Sequence, residues 1–105
     1  MIAELLHTSA RRATPAAELS RLTALTESEL QDQIEKEREA GAVILETLQK
    51  PGRYYLPEQV MDLYRYLCTV SDSKYHLAHD QRKRRELANM VKRSLAQIHS
   101  GRILL

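Results

Sequence analysis

Six carboxylates, Glu27, Glu29, Asp32, Glu35, Glu37 and Glu39, stand between positions 27 and 39 against Lys36 and Arg38 alone. Carboxylates do acid–base work when burial or a close charge perturbs them. At helical spacing on an outward face they are expected to remain ordinary ionised acceptors. The opposite chemistry is concentrated in Arg82-Lys83-Arg84-Arg85, whose guanidinium and ammonium groups suit phosphate. Asp80 and Glu86 on either side of that run interrupt the charge, and four successive bases on a helix point all round it, so a solvated face is the simpler reading. His76 and His79 with the distant thiol of Cys68 have metal-ligand letters without a metal-ligand pattern, and no zinc site is expected. No nucleophile, base and orienting partner fall together. The three glycines, Gly41, Gly52 and Gly101, cannot form a phosphate-cradling loop, so neither an enzyme nor a bound cofactor is expected. Tyr54, Tyr55, Tyr64, Tyr66 and Tyr75 are able to stack on bases, but at these spacings they read as core or rim.

The elements that would position these groups can be read along the chain. Ile2, Leu5 and Leu6 predict a short first helix ending in Thr8-Ser9-Ala10, and Arg11-Arg12-Ala13 reads as extended. Thr14-Pro15 predicts a helix start with proline at the first helical position, and Leu19 and Leu22 form its buried face. Thr26 with Glu29 three residues on is a capping box, opening a second helix that runs to Gly41. Leu30 and Ile34 point this helix at the core and leave Glu27, Ser28, Gln31, Asp32 and Glu35 outward. Val43-Ile44-Leu45 and Arg53-Tyr54-Tyr55-Leu56, joined through Gln49-Lys50-Pro51-Gly52, predict a hairpin tipped by Lys50 and Arg53.

Beyond Pro57, residues 58 to 70 predict a helix with a broad apolar face from Val60, Met61, Leu63, Tyr64, Leu67 and Cys68. Ser71-Asp72-Ser73 fits both a turn and a continuing helix, leaving open whether residues 57 to 105 form one helix or two. From Lys74 to His99, Ala88, Val91, Leu95 and Ile98 recur at spacings of three and four. They read as a dimer seam, with packing back onto the helix of residues 58 to 70 as the alternative.

Size and composition bound the rest. A chain of 105 residues without Phe or Trp supports one small core of Leu, Ile, Val, Ala, Met and Tyr, so a mostly helical protein with a small β-hairpin is expected. A single cysteine precludes an internal disulfide and fits a reducing cytoplasm. The N-terminal residues carry neither a basic leader nor a long apolar run, which argues against a signal peptide or membrane span. Residues 1 to 60 hold ten acids against seven bases, and the remainder four against nine. That asymmetry points to an anionic partner for the second half, or to the basic helix lying against the acidic one.

One stretch resembles a known family. Thr14-Pro15-Ala16-Ala17-Glu18-Leu19-Ser20-Arg21-Leu22, Leu25-Thr26-Glu27-Ser28-Glu29-Leu30, Ile34, Glu35 to Gly41 with Ile44, and Gly52-Arg53-Tyr54-Tyr55-Leu56 together resemble the winged helix-turn-helix proteins of bacteria and phages. The resemblance covers residues 1 to 56, and residues 57 to 105 form a separate helical segment to which dimerisation is assigned. It implies that the helix from Glu27 to Ala40 enters a DNA groove, where Gln31 reads adenine and Glu27 or Asp32 accepts from cytosine, with Ser28 and Glu35 beside them. Lys50 and Arg53 on the wing, with Arg11, Arg12 and Arg21, would hold phosphates. Glu37 stands where the family usually has leucine, so its carboxylate is either exposed or paired. The resulting expectation is a DNA-binding regulator or phage or mobile-element accessory factor acting on duplex DNA as a dimer. The alternative is a protein-interaction module that offers its acidic helix to a basic protein surface.

Overall fold

A computed structural model describes residues 1–47, 52–71 and 81–101 of the chain. The predicted turn residues Gln49, Lys50 and Pro51, the histidines His76 and His79, Tyr75 and the segment 72–80 lie outside the described residues. The protein is mostly helical, with four α-helices and one small three-stranded antiparallel sheet among the described residues. It divides into two compact units, Met1–Leu56 and Pro57–Leu105. No described helix is long and apolar enough to cross a membrane.

In the first unit the predicted N-terminal α-helix is instead a single 3₁₀ turn, Ala3–Leu5. Ile2 and Leu5 are three apart, a spacing that a 3₁₀ turn satisfies as well as an α-helix does, and the chain at Leu6 is already extended. The Arg11-Arg12 segment, expected to be extended, forms a second 3₁₀ turn, Ala10–Arg12, opened by Ser9, whose Oγ accepts from the Arg11 N–H at 3.2 Å. Strand β1 follows at Thr14–Pro15, so helix α1 begins one residue later than predicted, at Ala16, and runs to Thr23. Leu19 is fully buried, whereas Leu22, predicted beside it, is 51% exposed.

Ala24, in the left-handed conformation at φ 60°, stops α1 and turns the chain toward helix α2, Glu27–Glu39. The Thr23 hydroxyl supports this turn by donating to the Leu19 carbonyl at 2.7 Å. The capping box at the start of α2 is complete: Glu29 N–H donates to Thr26 Oγ1 at 3.2 Å, and Thr26 N–H donates to Glu29 Oε1 at 3.0 Å. The Thr26 backbone N–H first, and the Thr26 hydroxyl second, hold the Glu29 carboxyl below the usual range. Gly41, at φ 110°, ends the helix in a conformation that L side chains resist.

Strands β2, Leu45–Glu46, and β3, Arg53–Tyr55, complete the sheet in the order β1-β3-β2. Their register pairs Thr14 with Tyr54, Pro15 with Arg53, Leu45 with Tyr55 and Glu46 with Tyr54. Beyond β3, Leu56 bridges Thr8 in parallel, with Ser9 N–H donating to the Leu56 carbonyl and Leu56 N–H to that of His7. Ile2, Leu6, Leu19, Leu30, Ile34, Ile44 and Tyr54 form the core these elements share.

Among the described residues the second unit pairs helix α3, Val60–Ser71, with helix α4, Gln81–His99, packed on one another. Asp62 Oδ2 accepts from the N–H groups of Glu58 and Gln59 at 2.9 and 3.0 Å and so caps the start of α3. The buried line on α3 is Leu63, Tyr66 and Val70. Met61, Tyr64 and Cys68, predicted within the apolar face, are exposed. The Tyr64 hydroxyl lies 2.7 Å from His99 Nε2 and ties the outer side of α3 to the end of α4.

Candidate nucleic-acid interface

Of the five residues predicted on the outward face of α2, Glu27, Ser28, Asp32 and Glu35 are exposed. Gln31 is half-buried, and its amide donates to the Tyr54 hydroxyl at 2.6 Å. Tyr54 is buried, and burial, followed by the nearby Glu46 carboxylate, pushes its phenol up, so the hydroxyl stays protonated at neutral pH. The residue expected to read adenine is therefore engaged as a strut between α2 and β3. Glu35 is engaged too, accepting from Arg38 Nη1 at 3.1 Å.

Arg38 itself belongs to the interior. Its Nε and Nη2 donate to the Ile44 carbonyl at 3.0 and 2.7 Å, fixing the end of α2 to the approach to β2. Glu37 is its mirror in sign, 2% exposed, with its carboxylate accepting from the N–H groups of Ile2 at 2.7 Å and Ala3 at 2.8 Å and from the Gln33 amide at 2.9 Å. Burial alone would raise this carboxyl, but the two backbone donors and the Gln33 amide outweigh it and hold the group below the ordinary range. Of the two readings open for Glu37, pairing is the one that applies. The acidic excess of α2 is thus smaller at its surface than in its sequence, though Glu27, Asp32 and Glu39 remain exposed.

The predicted phosphate contacts separate into two groups. Arg21 forms a bidentate pair with Glu18 on the exposed side of α1, which largely cancels its charge. Arg11 and Arg12 lie on the 3₁₀ turn that packs against β3, the strand that carries Arg53. These three arginines are exposed, and among the described residues they form no ion pair. Arg53 is fixed by its backbone, its N–H donating to Thr47 Oγ1 at 3.0 Å while its carbonyl accepts from the Thr47 N–H at 2.8 Å. The fold therefore gathers Arg11, Arg12 and Arg53 around β3, a grouping that positions so far apart do not announce. Lys50 lies outside the described residues.

The second unit alters two further expectations. In the basic run, Arg82 pairs with Glu86 at 3.3 Å, Lys83 is half-buried and Arg84 is only 6% exposed, so the run is not one patch. In the predicted dimer seam, Val91 and Leu95 are buried inside the chain and Ala88 and Ile98 are half-buried. The helix that carries this line packs against α3, whose buried residues are Leu63, Tyr66 and Val70. No protein-family model, curated protein or solved structure matches this chain.

Proposed function

We propose that residues 1 to 56 form a winged helix-turn-helix and that the chain binds duplex DNA, as a transcriptional regulator or a phage or mobile-element accessory factor. The observation that carries this reading is the grouping of Arg11, Arg12 and Arg53, without ion pairs, around β3 in a chain ordered β1, α1, α2, β2, β3. In that order α1 and α2 are the two helices of the turn and β2 and β3 the wing. The N-terminal half of α2 is then the groove element, with exposed Ser28, Glu27 and Asp32 facing base edges and the cytosine amino group as their natural donor. The arginines neutralise phosphate and supply the affinity that an acidic helix cannot. Replacing Arg11, Arg12 and Arg53 together by alanine is expected to reduce the slope of log affinity against log salt by about 2 to 3 in a duplex titration. An unchanged slope would remove these residues from the interface.

A second reading is favoured by one observation: Glu27, Asp32 and Glu39 are exposed and form no ion pair among the described residues. In this reading the same fold presents α2 to a basic protein surface, and duplex binding is weak and flat with salt.

A further inference from the structure

We infer that the outer face of α4 is a second phosphate-binding surface, one that tracks a nucleic-acid backbone along the helix. This rests on the duplex-binding reading above but uses different residues on a different element. Arg85, Lys92 and Arg93 are exposed, and among the described residues none of them forms an ion pair. At about 100° per residue these three, with exposed Arg82 and Asn89, fall within roughly a quarter to a third of the helix circumference. Arg85 and Lys92 are two turns apart, about 10 Å along the axis.

The opposite side of the same helix carries the buried Leu87, Met90, Val91, Ser94 and Leu95, so the helix cannot turn its cations inward without losing its packing on α3. Glu86 is the one acid on the exposed arc, and it is paired with Arg82 at 3.3 Å. The contrast with the rest of the protein matters. Exposed Arg21 and Arg65 each sit beside a carboxylate three residues away on their own helix, Glu18 and Asp62, whereas Arg85, Lys92 and Arg93 have no carboxylate three or four residues away on α4. An exposed face with Ala96 as its apolar element cannot attract a partner by burial, so its partner is recognised by charge and hydrogen-bonding capacity. A regularly charged polyanion is the chemistry that fits several unpaired cations on one line, and counterion release is what such a surface gains from it.

The test is a salt series on the full chain with random-sequence duplex DNA, comparing four proteins: the parent, Arg85→Gln with Lys92→Gln and Arg93→Gln, the Arg11, Arg12 and Arg53 alanine variant, and Glu86→Gln. Glutamine keeps helix propensity at exposed positions, and circular dichroism checks that α4 is retained. The α4 variant is expected to lower the salt slope by about 2 to 3, and Glu86→Gln to tighten binding at low salt by about two- to fivefold. If the α4 variant keeps the parent slope, or Glu86→Gln weakens binding, the inference is overturned while the duplex reading stands. If the α4 variant loses slope and the Arg11, Arg12 and Arg53 variant does not, the inference stands and the hairpin reading fails. Absence of duplex binding by the parent overturns both.

Discussion

Glu37 shows how one side chain can close a fold at a distance. Its carboxylate receives the N–H groups of Ile2 and Ala3, and this holds the turn that delivers Ile2 and Leu6 to the core. Because its pKa is depressed in the folded state, its stabilisation is fully present above the unfolded glutamate value of about 4.3 and is lost as pH falls through the lower folded value. Glu37→Gln is expected to cost about 1–3 kcal/mol at pH 7, since an amide cannot accept both backbone bonds as a carboxylate does. Chemical denaturation from pH 7 down to pH 3 should show the parent losing that advantage as the pH falls, with a flatter profile for the variant. Ala24 argues in the other direction. It holds φ 60° without being glycine, so Ala24→Gly is expected to raise stability by about 0.5–1 kcal/mol in the same assay. The sequence marks Glu37 as a charge at an apolar position, but its two backbone partners lie 34 and 35 residues away. Gln31 is outward by helical periodicity, and only the placement of Tyr54 on β3 turns it into a strut.

At the scale of elements, signals carried by adjacent residues translate directly into structure. Thr26 with Glu29 and the stop at Gly41 are local chemistry, and each appears where its residues stand. The first turn and the helix pair depend on longer-range choices. A three-residue apolar spacing does not distinguish 3₁₀ from α, and a line of Ala88, Val91, Leu95 and Ile98 does not specify whether its partner is α3 or a second chain. Val91 and Leu95 of that line are buried on a helix that packs against α3. Leu95→Ala should therefore lower stability by about 2–4 kcal/mol, with a thermal midpoint that does not change with protein concentration. A midpoint that rises with concentration in the parent and loses that dependence in the variant would return the seam to an interface between chains.

The whole molecule carries a formal charge of plus two, yet its charge is sorted rather than balanced. Acidic groups crowd α2, several of them consumed by Arg38, by backbone N–H groups or by the cap. Among the described residues, Arg11, Arg12 and Arg53 around β3 and Arg85, Lys92 and Arg93 along α4 are exposed without an ion pair. This sorting was legible in the sequence only as an imbalance between halves, because pairing decides which charges reach the surface. A polyanion partner reconciles an acidic helix with a DNA-binding reading, since contact then depends on the arginines and on α4, and base contacts only tune it. The affinity of the parent chain for random duplex DNA across a salt series tests this most directly. The account predicts measurable binding at low salt and a slope of about −3 or steeper. Binding that is absent at low salt, or that does not change with salt, would contradict it.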